Sequence, residues 1–600
     1  MFRYVAFVWN DADPDARNGA RTLAERLQAS PAVWQSVFAG HGLQVFCTDV
    51  RPGSSEPYRL QGGAGVVVGK LFATSADGSS TAAPLTLGEA ESSAILASAG
   101  RRLVDRYWGR YVAFLQDSAA SWVLLDPTGV LPCFNTRLCG VDVFFSHMAE
   151  GAQLGGAGAF SVNWKYVAAV ICQQRLQVHA TGLNEVSQVL GGECVELRQG
   201  VIARQFYWNL LKIADSDRVD DAVEAARLLR DQTRDCVHAW ASGYPGIVHL
   251  LSGGLDSSIV FALMKDAPSR PRITCLNFHS PGSNSDERGY ARLAAAGTDC
   301  EVLERPRKTD ATLRSMLEVQ TSCIPTDYFF YLEGGARIEA QVADECGATG
   351  VFSGAGGDQL FYQARARYAA GDFLSAHGPG PALFTVALDA ARVDRLSVWS
   401  VLREAALHGW LRRRWTVASE TGLHQTLIRG DVVHDISRDA SLVHPAFHAP
   451  GNAPSGKLWH AYQLLFPPDF YNPLGAESAP ESVAPLFSQP LLALVMRIPT
   501  WLLTAGGWDR ALARRAFQHD VPRAIVTRRT KGGREEHAKA IFVRDIGFAR
   551  EMLLDGGLVR ERILDAAQVA DVLSGRPTRT LTGNPELFGC LSVESWLRRW

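Results

Sequence analysis

The chain has 600 residues, of which 47% are hydrophobic and 20% are charged. This is too long for a single hydrophobic core and has an ordinary globular composition, so we expect two or more domains. The formal net charge of −2 at pH 7 argues against a nucleic acid or another polyanion as the main partner.

The cysteines and the N-terminus indicate the compartment. The 11 cysteines are scattered, without a C-x-x-C pair or a cluster spaced for metal binding, which is typical of reduced thiols rather than of a secreted disulfide framework. The stretch MFRYVAFVWNDADPDAR has neither the length nor the cleavage site of a signal peptide. No apolar segment has membrane-spanning length. We therefore expect a cytoplasmic protein that binds no membrane.

The first third of the chain contains short runs rich in Val, Phe and Tyr, separated by Gly, Pro, Asp and Ser, which predict β-strands. The spacing over Ala90–Tyr107 predicts a helix, and the small residues of Ser75–Pro84 predict a loop. This pattern indicates stacked antiparallel sheets with some helix. The predicted strands are Tyr4–Trp9, Leu43–Val50, Gly65–Leu71, Arg110–Gln116, Trp122–Asp126 and Val141–Ser146.

The polar segment Asp215–Asp220 is interpreted as the linker between two domains, residues 1–214 and 215–600. Beyond it, helical and strand patterns alternate, which predicts a doubly wound parallel sheet. From about Gln363 to Trp600 the pattern is mostly helical, with interruptions rich in Pro and Gly. The predicted elements are helices Ala222–Ser242, Ser257–Lys265, Asp286–Ala296 and Glu333–Glu345, and strands Gly246–Leu251, Arg272–Phe278, Glu301–Leu303 and Gly350–Phe352.

The stretch GIVHLLSGGLDSS places small polar residues at the end of a predicted strand, where parallel sheets bind ligands. Gly253 and Gly254 permit a close backbone approach, and successive N–H groups before a helix form an anion cradle. Ser252, Ser257 and Ser258 add hydroxyl donors. The stretch predicts a phosphate-binding loop; an ordinary strand–helix turn is the alternative.

Asp256 lies within this loop, where a carboxylate repels phosphate unless a cation lies between them. We interpret it as a Mg²⁺ ligand that bridges to phosphates. A second stretch, Ser353–Phe361, has the same pattern of a serine and glycines after a predicted strand, with Asp358 at a predicted helix start. Two such loops at neighbouring strand ends can hold Mg²⁺ between them, whereas the alternative for Asp358 is a plain helix cap. The first loop lacks the G-K-[ST] of a Walker A motif, so gripping pyrophosphate suits it better.

The basic stretch RRTKGG, Arg528–Gly533, suggests a loop that lays Lys531 over phosphate. A lysine there can stabilise the charge that develops on transferring and leaving groups. The alternative is a solvated basic patch.

Together these stretches resemble the asparagine synthetase family, in the family's order and over nearly the whole chain. The segments that carry the resemblance are Gly109–Phe114, Asp126–Pro132, Phe144–Ser146, Ser252–Ser258, Asp286–Ala291, Ser353–Phe361, Pro485–Ser488, Val521–Gly532 and Leu591–Arg598. The resemblance implies an α/β protein: an N-terminal antiparallel sandwich of the Ntn glutaminase type, followed by a doubly wound ATP-pyrophosphatase domain with helical extensions.

The resemblance also implies ATP as substrate, Mg²⁺ as cofactor, Lys531, Asp256 and Asp358 as catalytic residues, and an adenosine pocket lined by Leu250, Phe278 and Gly354. The implied ATP and pyrophosphate ligands are Leu250, Ser252, Gly253, Gly254, Asp256, Ser257, Ser258, Phe278, Ser353 and Gly354, with Asp256 and Asp358 as the metal ligands.

Two departures from the family pattern narrow the function. The glutaminase needs a cysteine directly after the initiator Met, but this chain has Phe2, and its nearest thiol is Cys47. We therefore expect no ammonia production by the N-terminal domain. The second departure is Ala355, which stands where asparagine synthetases have Glu and β-lactam synthetases have Tyr. In both respects the chain is most similar to the lasso peptide cyclases.

The resemblance implies a macrolactam synthetase that adenylates an Asp or Glu side chain of a leader-free precursor peptide and joins it to the peptide's own α-amine. A leader-peptide protease and a leader-binding protein are the further partners that it allows. Trp399, Trp410, Trp415 and Trp459, near the arginines 412–414, are candidates for a peptide groove; core tryptophans are the alternative. A small-molecule amide or β-lactam synthetase and a non-catalytic peptide-binding scaffold remain open.

Overall fold

The computed structural model describes residues 1–74, 80–81, 85–156, 158–173, 175–198, 200–280, 286–307, 312–317, 322–325, 335–411, 413–419, 426–467, 480–529, 541–574 and 585–600. The strands of the N-terminal part are β1 Arg3–Val8, β2 Gln35–Gly40, β3 Leu43–Thr48, β4 Glu56–Arg59, β5 Gly65–Thr74, β6 Ser80–Thr81, β7 Tyr107–Gln116, β8 Ser121–Leu125, β9 Phe134–Leu138, β10 Val141–Phe145, β11 Ser187–Gln188, β12 Glu193–Arg198 and β13 Val201–Phe206. Its helices are α1 Pro14–Gln28, α2 Glu89–Ala97, α3 Arg101–Arg106, α4 Met148–Gly155, α5 Trp164–Cys172 and α6 Leu210–Ala214.

The thirteen strands form two antiparallel sheets with a shared hydrophobic core. One sheet has the order β11-β9-β10-β1-β3-β2 and the other β13-β12-β8-β7-β5-β4, with β6 beside β5. Alternating residues from both sheets, among them Tyr4, Phe114 and Phe144, are buried against one another, because successive side chains of a strand point to opposite faces. The expected antiparallel sandwich is confirmed.

One predicted helix of this part is interrupted. Ala90–Tyr107 was expected to be continuous, but α2 ends at Ala97 and α3 begins at Arg101. Ala99 and Gly100 adopt φ values of 49° and 85° between them, which lie in the left-handed region and end a right-handed helix.

The C-terminal part contains five further strands: β14 Gly246–Leu250, β15 Arg272–His279, β16 Glu301–Pro306, β17 Gly350–Phe352 and β18 Glu481–Val483. All neighbouring strands are parallel, in the order β16-β15-β14-β17-β18. The predicted parallel sheet is confirmed, but its edge strand β18 was missed. A three-residue strand, far along the chain from its neighbour β17, has no periodicity that a sequence pattern can reveal.

The remaining helices pack around this sheet and extend beyond it. They are α7 Ala222–Ala241, α8 Leu255–Met264, α9 Arg288–Ala295, α10 Leu313–Met316, α11 Gly335–Cys346, α12 Gly357–Leu360, α13 Arg367–His377, α14 Pro381–Asp394, α15 Val398–Ala405, α16 Gly430–Arg438, α17 Ser455–Leu464, α18 Gln489–Arg497, α19 Thr500–Leu503, α20 Ala511–Ala516, α21 Arg523–Val526, α22 Ile546–Leu554, α23 Gly557–Arg560, α24 Ala566–Val572 and α25 Pro585–Leu597. Within the described ranges, no single helix is long and apolar enough to cross a bilayer, although one bent pair, Gln489–Arg497 with Thr500–Gly507, meets that test jointly.

The two parts contact each other through a buried ion pair and an aromatic cluster. Nη2 of Arg110, on β7, lies 2.9 Å from Oε2 of Glu481, on β18, and both side chains are buried. The ring of Trp240, on α7, packs edge-on against Phe72 and Trp108. The sandwich therefore packs directly against the parallel-sheet part.

Candidate functional site

The first strand tip is a tight loop between β14 and α8. Gly253 has a φ of 75°, and a Cβ on it would lie 2.6 Å from Cβ of Tyr290 and 2.7 Å from N of Ala291. Glycine is therefore required here both for its backbone conformation and for the close packing of α9. The predicted strand–loop–helix is confirmed, with α8 beginning at Leu255.

The three serines of this loop lie at different depths. Ser252 is exposed and its Oγ lies 3.0 Å from Oγ of Ser257. Ser257 and Ser258 are buried in the first turn of α8. Ser252 is therefore the loop hydroxyl that solvent, or a phosphate, reaches most easily.

A second glycine-rich loop, Ser353–Gly357, follows β17 and contacts the first. A Cβ on Gly354 would lie 2.4 Å from N of Ser257, and one on Gly357 would lie 2.6 Å from Cβ of Asp256. The two backbones can therefore approach this closely only because Gly354 and Gly357 have no side chain. The two strand tips that the sequence analysis paired are in direct contact.

Asp256 and Asp358 point toward the same cationic atom. Nη1 of Arg510 donates to Oδ2 of Asp256 at 2.9 Å and to Oδ1 of Asp358 at 2.8 Å. Burial by itself lowers the pKa of Arg510, but the carboxylates of Asp256, Asp358 and Asp509 outweigh it and raise that pKa. A buried charge of this kind persists only when opposite charges surround it.

These two carboxylates fit a magnesium ion by donor chemistry and by position. Mg²⁺ is commonly held by one or two carboxylates together with substrate phosphates, and here two carboxylate oxygens already lie within hydrogen-bond distance of one cationic nitrogen. Among the described residues, no cluster of three or more His, Cys, Asp or Glu could hold a metal by itself. An ion bound between Asp256 and Asp358 requires Arg510 to move aside.

Arg510 was not predicted as a site residue from the sequence, and the surrounding hydrogen bonds explain its position. Its backbone is left-handed, with φ 52° and ψ 36°, directly before α20. Asp509 accepts a hydrogen bond from Nε of Arg510 at 2.8 Å and from Nη2 of Arg514 at 2.9 Å. No local pattern in the segment WDRALARR identifies Arg510 as the residue that reaches both strand tips.

The start of the basic stretch is anchored beside the first loop. Nη2 of Arg528 lies 2.6 Å from Oε1 of Glu287, and its guanidinium lies 3.9 Å from the ring centre of Tyr290. The guanidinium of Arg529 lies 3.8 Å from the ring of Trp508. Arg528 is therefore not part of a solvated basic patch. Lys531 itself lies outside the described residues, so its catalytic role stays a prediction.

The expected adenosine-pocket residues lie on one face of the sheet. Leu250 and Phe278 are partly buried and pack against the same small core under α11. Nδ2 of Asn277 donates to the carbonyl oxygen of Leu251 at 2.7 Å, which holds the end of β15 against the start of the loop. The nucleotide roles of Leu250, Phe278, Ser353 and Gly354 stay predictions.

The N-terminal part offers no reactive thiol where a glutaminase needs one. Phe2 is buried between the two sheets, and the amino group of Met1 lies 2.5 Å from Oδ2 of Asp49. Cys47 is also buried, and burial raises the pKa of its thiol. A buried thiol with a raised pKa is a poor nucleophile.

The four tryptophans proposed for a peptide groove do not form one surface. Trp415 is buried and packs with Trp459 and Tyr462, at ring distances of 5.9 and 5.2 Å. Trp399 and Trp410 are instead 72% and 71% exposed. The core alternative therefore holds for Trp415, and a groove built from all four was wrong.

Comparisons with known proteins place the chain in a family. Residues 228–598 match the model of the family described as asparagine synthase. No curated protein sequence matches the chain.

Two solved structures are similar at low TM-scores. An allosteric regulatory enzyme of purine biosynthesis has 11% identity and a TM-score of 0.21, covering 51% of this chain and 80% of its own. The glutamine phosphoribosylpyrophosphate amidotransferase from B. subtilis, complexed with ADP and GMP, has 10% identity and a TM-score of 0.20, covering 51% and 81%. The family model, in contrast, spans more than half of the sequence. The chain belongs to the asparagine synthase family, whose members are ATP-dependent amide-forming ligases.

Proposed function

We propose that the protein is a lasso peptide macrolactam synthetase. It uses ATP to adenylate the side-chain carboxylate of an Asp or Glu in a leader-free peptide, and then joins that carbonyl to the peptide's N-terminal amine. The observation that supports the ATP-dependent half is the contact between two acid-bearing loops, with Asp256 and Asp358 converging on one point. The peptide half rests on the two departures at Phe2 and Ala355.

In the first step, a carboxylate oxygen of the peptide attacks the α-phosphorus, and the bond from that phosphorus to the bridging oxygen breaks. Pyrophosphate leaves with the electron pair, and an acyl-adenylate remains. In this proposal, the backbone N–H groups at the start of α8 and the exposed hydroxyl of Ser252 bind the departing pyrophosphate. Mg²⁺, when bound, neutralises part of the phosphate charge. Asp256 and Asp358 are the residues that would hold the ion.

In the second step, the neutral α-amine attacks the activated carbonyl, loses a proton to solvent and displaces AMP. Ala355 has no acid or base to offer at this point in the second loop. An intramolecular amine held in the right geometry compensates, since orientation alone contributes roughly 7–11 kcal/mol to lowering a barrier. The substrate's own amine also removes the need for a glutaminase, whose cysteine is replaced in this chain by the buried Phe2.

A non-catalytic peptide-binding scaffold is the second candidate, and one observation favours it. Arg510 already neutralises both acids that would hold the metal, so the charges of the two strand tips are balanced within the chain itself. Under this alternative, peptide binds but ATP is not consumed.

The test incubates the purified protein with ATP, Mg²⁺ and synthetic core peptides that carry Asp or Glu several residues after an N-terminal Gly or Ala. We expect AMP release together with a peptide lighter by one water, and loss of both in Asp256→Asn. Asp435→Asn, an exposed acid on α16, is the matched control and should leave turnover unchanged.

The other outcomes separate the alternatives. Turnover only with amino-acid-like substrates, giving a small amide or lactam, would replace the proposal with a small-molecule synthetase. Peptide binding without ATP consumption by any carboxylate substrate would establish the scaffold. If cyclisation occurs, a leader-peptide protease and a leader-binding protein are the partners to test next.

A further inference from the structure

A narrow recess lies where the sandwich meets the helices of the C-terminal part. The segment after α5 contributes Gln173, Arg175 and Gln177, and the region around α17 contributes His444, Tyr462 and Phe466. The recess has a volume of about 10 Å³, which is the space that one bound water needs. The recess therefore accepts the head of a small polar group rather than a whole side chain.

Arg175 is the charged group of this recess. Its side chain is partly buried, and burial lowers the pKa of its guanidinium. The guanidinium lies 5.7 Å from the ring centre of Phe466, but among the described residues Arg175 has no hydrogen bond or ion pair of its side chain. A cation removed from water without a carboxylate beside it costs free energy, so an anion entering the recess gains a strong partner.

The rest of the lining suits a carboxylate. The side chains of Gln173 and Gln177 bring amide groups, and Tyr462 and Phe466 bring aromatic walls. His444 adds no positive charge, because burial lowers its pKa to about 3. One cation with amide donors and apolar walls is the composition of a site that binds and orients a single anionic group.

The recess belongs to the neighbourhood of the strand-tip site. Tyr462, which lines the recess, and His460 both lie on α17, and Nε2 of His460 lies 3.1 Å from the carbonyl oxygen of Gln359, the residue after Asp358. Arg175 comes from the N-terminal part and Asp358 from the C-terminal part. A sandwich that lacks a glutaminase thiol thus contributes a charged group beside the ligase site.

We propose that this recess is a substrate subsite that binds a carboxylate, with Arg175 as its anchor. The inference rests on the proposed function and specifies it: the peptide presents a second carboxylate, either its C-terminus or an acidic side chain, in addition to the one that is adenylated. Arg175 acts as a positioning residue, which holds the peptide so that the acceptor carboxylate faces the nucleotide. A planar guanidinium that can bind a carboxylate through two hydrogen bonds is suited to this task.

The test uses N-acetyl-L-phenylalanine and its uncharged amide as matched probes, titrated into the nucleotide-free protein by calorimetry. We expect the acid to bind at least about tenfold more tightly than the amide, as a charge-assisted pair requires. Arg175→Met should abolish this preference and Arg175→Lys should keep part of it. Arg438→Met removes an exposed arginine of α16 and should change nothing. Equal binding of acid and amide, or an unchanged preference in Arg175→Met, overturns the inference.

Folding and nucleotide binding are checked separately. Arg175→Met should unfold at an equal or higher temperature than the wild type, because a buried cation without a partner is removed, and ATP should stabilise both proteins equally. A clear drop in its unfolding temperature would show a structural role and contradict the inference. With a cyclised peptide, Arg175→Met should raise KM and leave kcat nearly unchanged; an unchanged KM for every peptide overturns the subsite.

Two peptide variants distinguish the source of the carboxylate. If the C-terminus binds, amidating it should raise KM as much as Arg175→Met does; if an acidic side chain binds, its amide analogue should do so instead. Carboxylate binding through Arg175 without any cyclisation contradicts the proposed function alone. If the peptide is cyclised with the same KM in Arg175→Met as in the wild type, the result contradicts the subsite but not the proposed function.

Discussion

Nη1 of Arg510 lies 2.9 Å from Oδ2 of Asp256, although 254 positions separate the two residues in the chain. The same nitrogen reaches Asp358 at 2.8 Å. The guanidinium thus offsets the mutual repulsion of two acids at the tips of the paired strands β14 and β17. The two acids and the guanidinium therefore form one ion-pair network between the two loops.

Replacing Arg510 should therefore change the affinity of the site for a divalent metal ion in the absence of nucleotide. In Arg510→Met, Mn²⁺ no longer competes with a guanidinium, so we expect it to bind at least about tenfold more tightly than in the wild type, a difference of about 1.4 kcal/mol. In EDTA the variant should be less stable by about 3–5 kcal/mol, because two acids lose their buried partner. Calorimetric titration and thermal unfolding measure the two effects.

Arg514→Met is the matched control for Arg510→Met. It removes an arginine that bonds Asp509 rather than Asp256 or Asp358. Equal Mn²⁺ affinity in the wild type, Arg510→Met and Arg514→Met would show that Arg510 does not occupy the ion's place.

The contact between the two loops should depend on Gly354. A Cβ there would lie 2.4 Å from N of Ser257, a backbone atom that cannot move independently of α8. We expect Gly354→Ala to lower stability by about 1–3 kcal/mol, as for other overpacked sites, and to weaken the stabilisation by ATP. Gly289→Ala is the control: a Cβ there meets nothing within 4 Å, and alanine favours a helix interior. A Gly354→Ala protein as stable as Gly289→Ala would contradict the packing argument.

The anchoring of the basic stretch should be visible in catalysis. Arg528 and Glu287 are 11% and 12% exposed, so breaking their pair by Arg528→Met leaves a poorly solvated carboxylate. Since the pair fixes the residues directly before Lys531, we expect kcat for AMP formation to fall by about tenfold or more, with little change in ATP affinity.

The control for the anchor is the more exposed ion pair between Arg292, on α9, and Glu304, on β16. Arg292 bonds Glu304 at 2.6 Å, but its side chain is 62% exposed, and such pairs contribute only about 0.2–1 kcal/mol. Arg292→Met should leave kcat unchanged. An equal loss of kcat in Arg292→Met and Arg528→Met would mean that the pair between Arg528 and Glu287 does not position Lys531.

Acid should destabilise the protein through its buried histidines. Burial lowers the pKa of His249 to about 4 and of His147 and His444 to about 3. The folded state therefore binds fewer protons than the unfolded state below the ordinary histidine pKa of about 6.5, and the free energy of unfolding falls as pH drops through that value. Asp126 and Asp372 act in the opposite direction below about pH 6, because burial raises the pKa of each carboxyl to about 6.

His249 isolates this effect. Its Nε2 lies 2.9 Å from the carbonyl oxygen of Ser257, and a glutamine amide can donate the same hydrogen bond. We expect His249→Gln to reduce the slope of stability against pH between about 6.5 and 5. The check is the denaturant midpoint at several pH values; an unchanged slope would show that His249 is not among the groups responsible.

Much of this protein could be predicted from local patterns. The strand–loop–helix at residues 246–264 follows from an apolar run, two glycines and a second apolar run, all within a few residues. The alternation of strands and helices predicted the parallel sheet, and the sheet in turn placed Asp256 and Asp358 at neighbouring tips. These features depend on backbone geometry and burial, which neighbouring residues largely determine.

The tertiary structure alone decided the features that join distant segments. Arg510 reaches Asp256 from another helix, β18 pairs with β17 across more than one hundred residues, and Arg175 lies over the ring of Phe466 in the other half of the chain. No local pattern encodes these contacts, because they depend on how whole elements pack. The sequence by itself thus determined that two acid-bearing loops follow neighbouring strands, and only the packing determined that the guanidinium of Arg510 lies between the two acids.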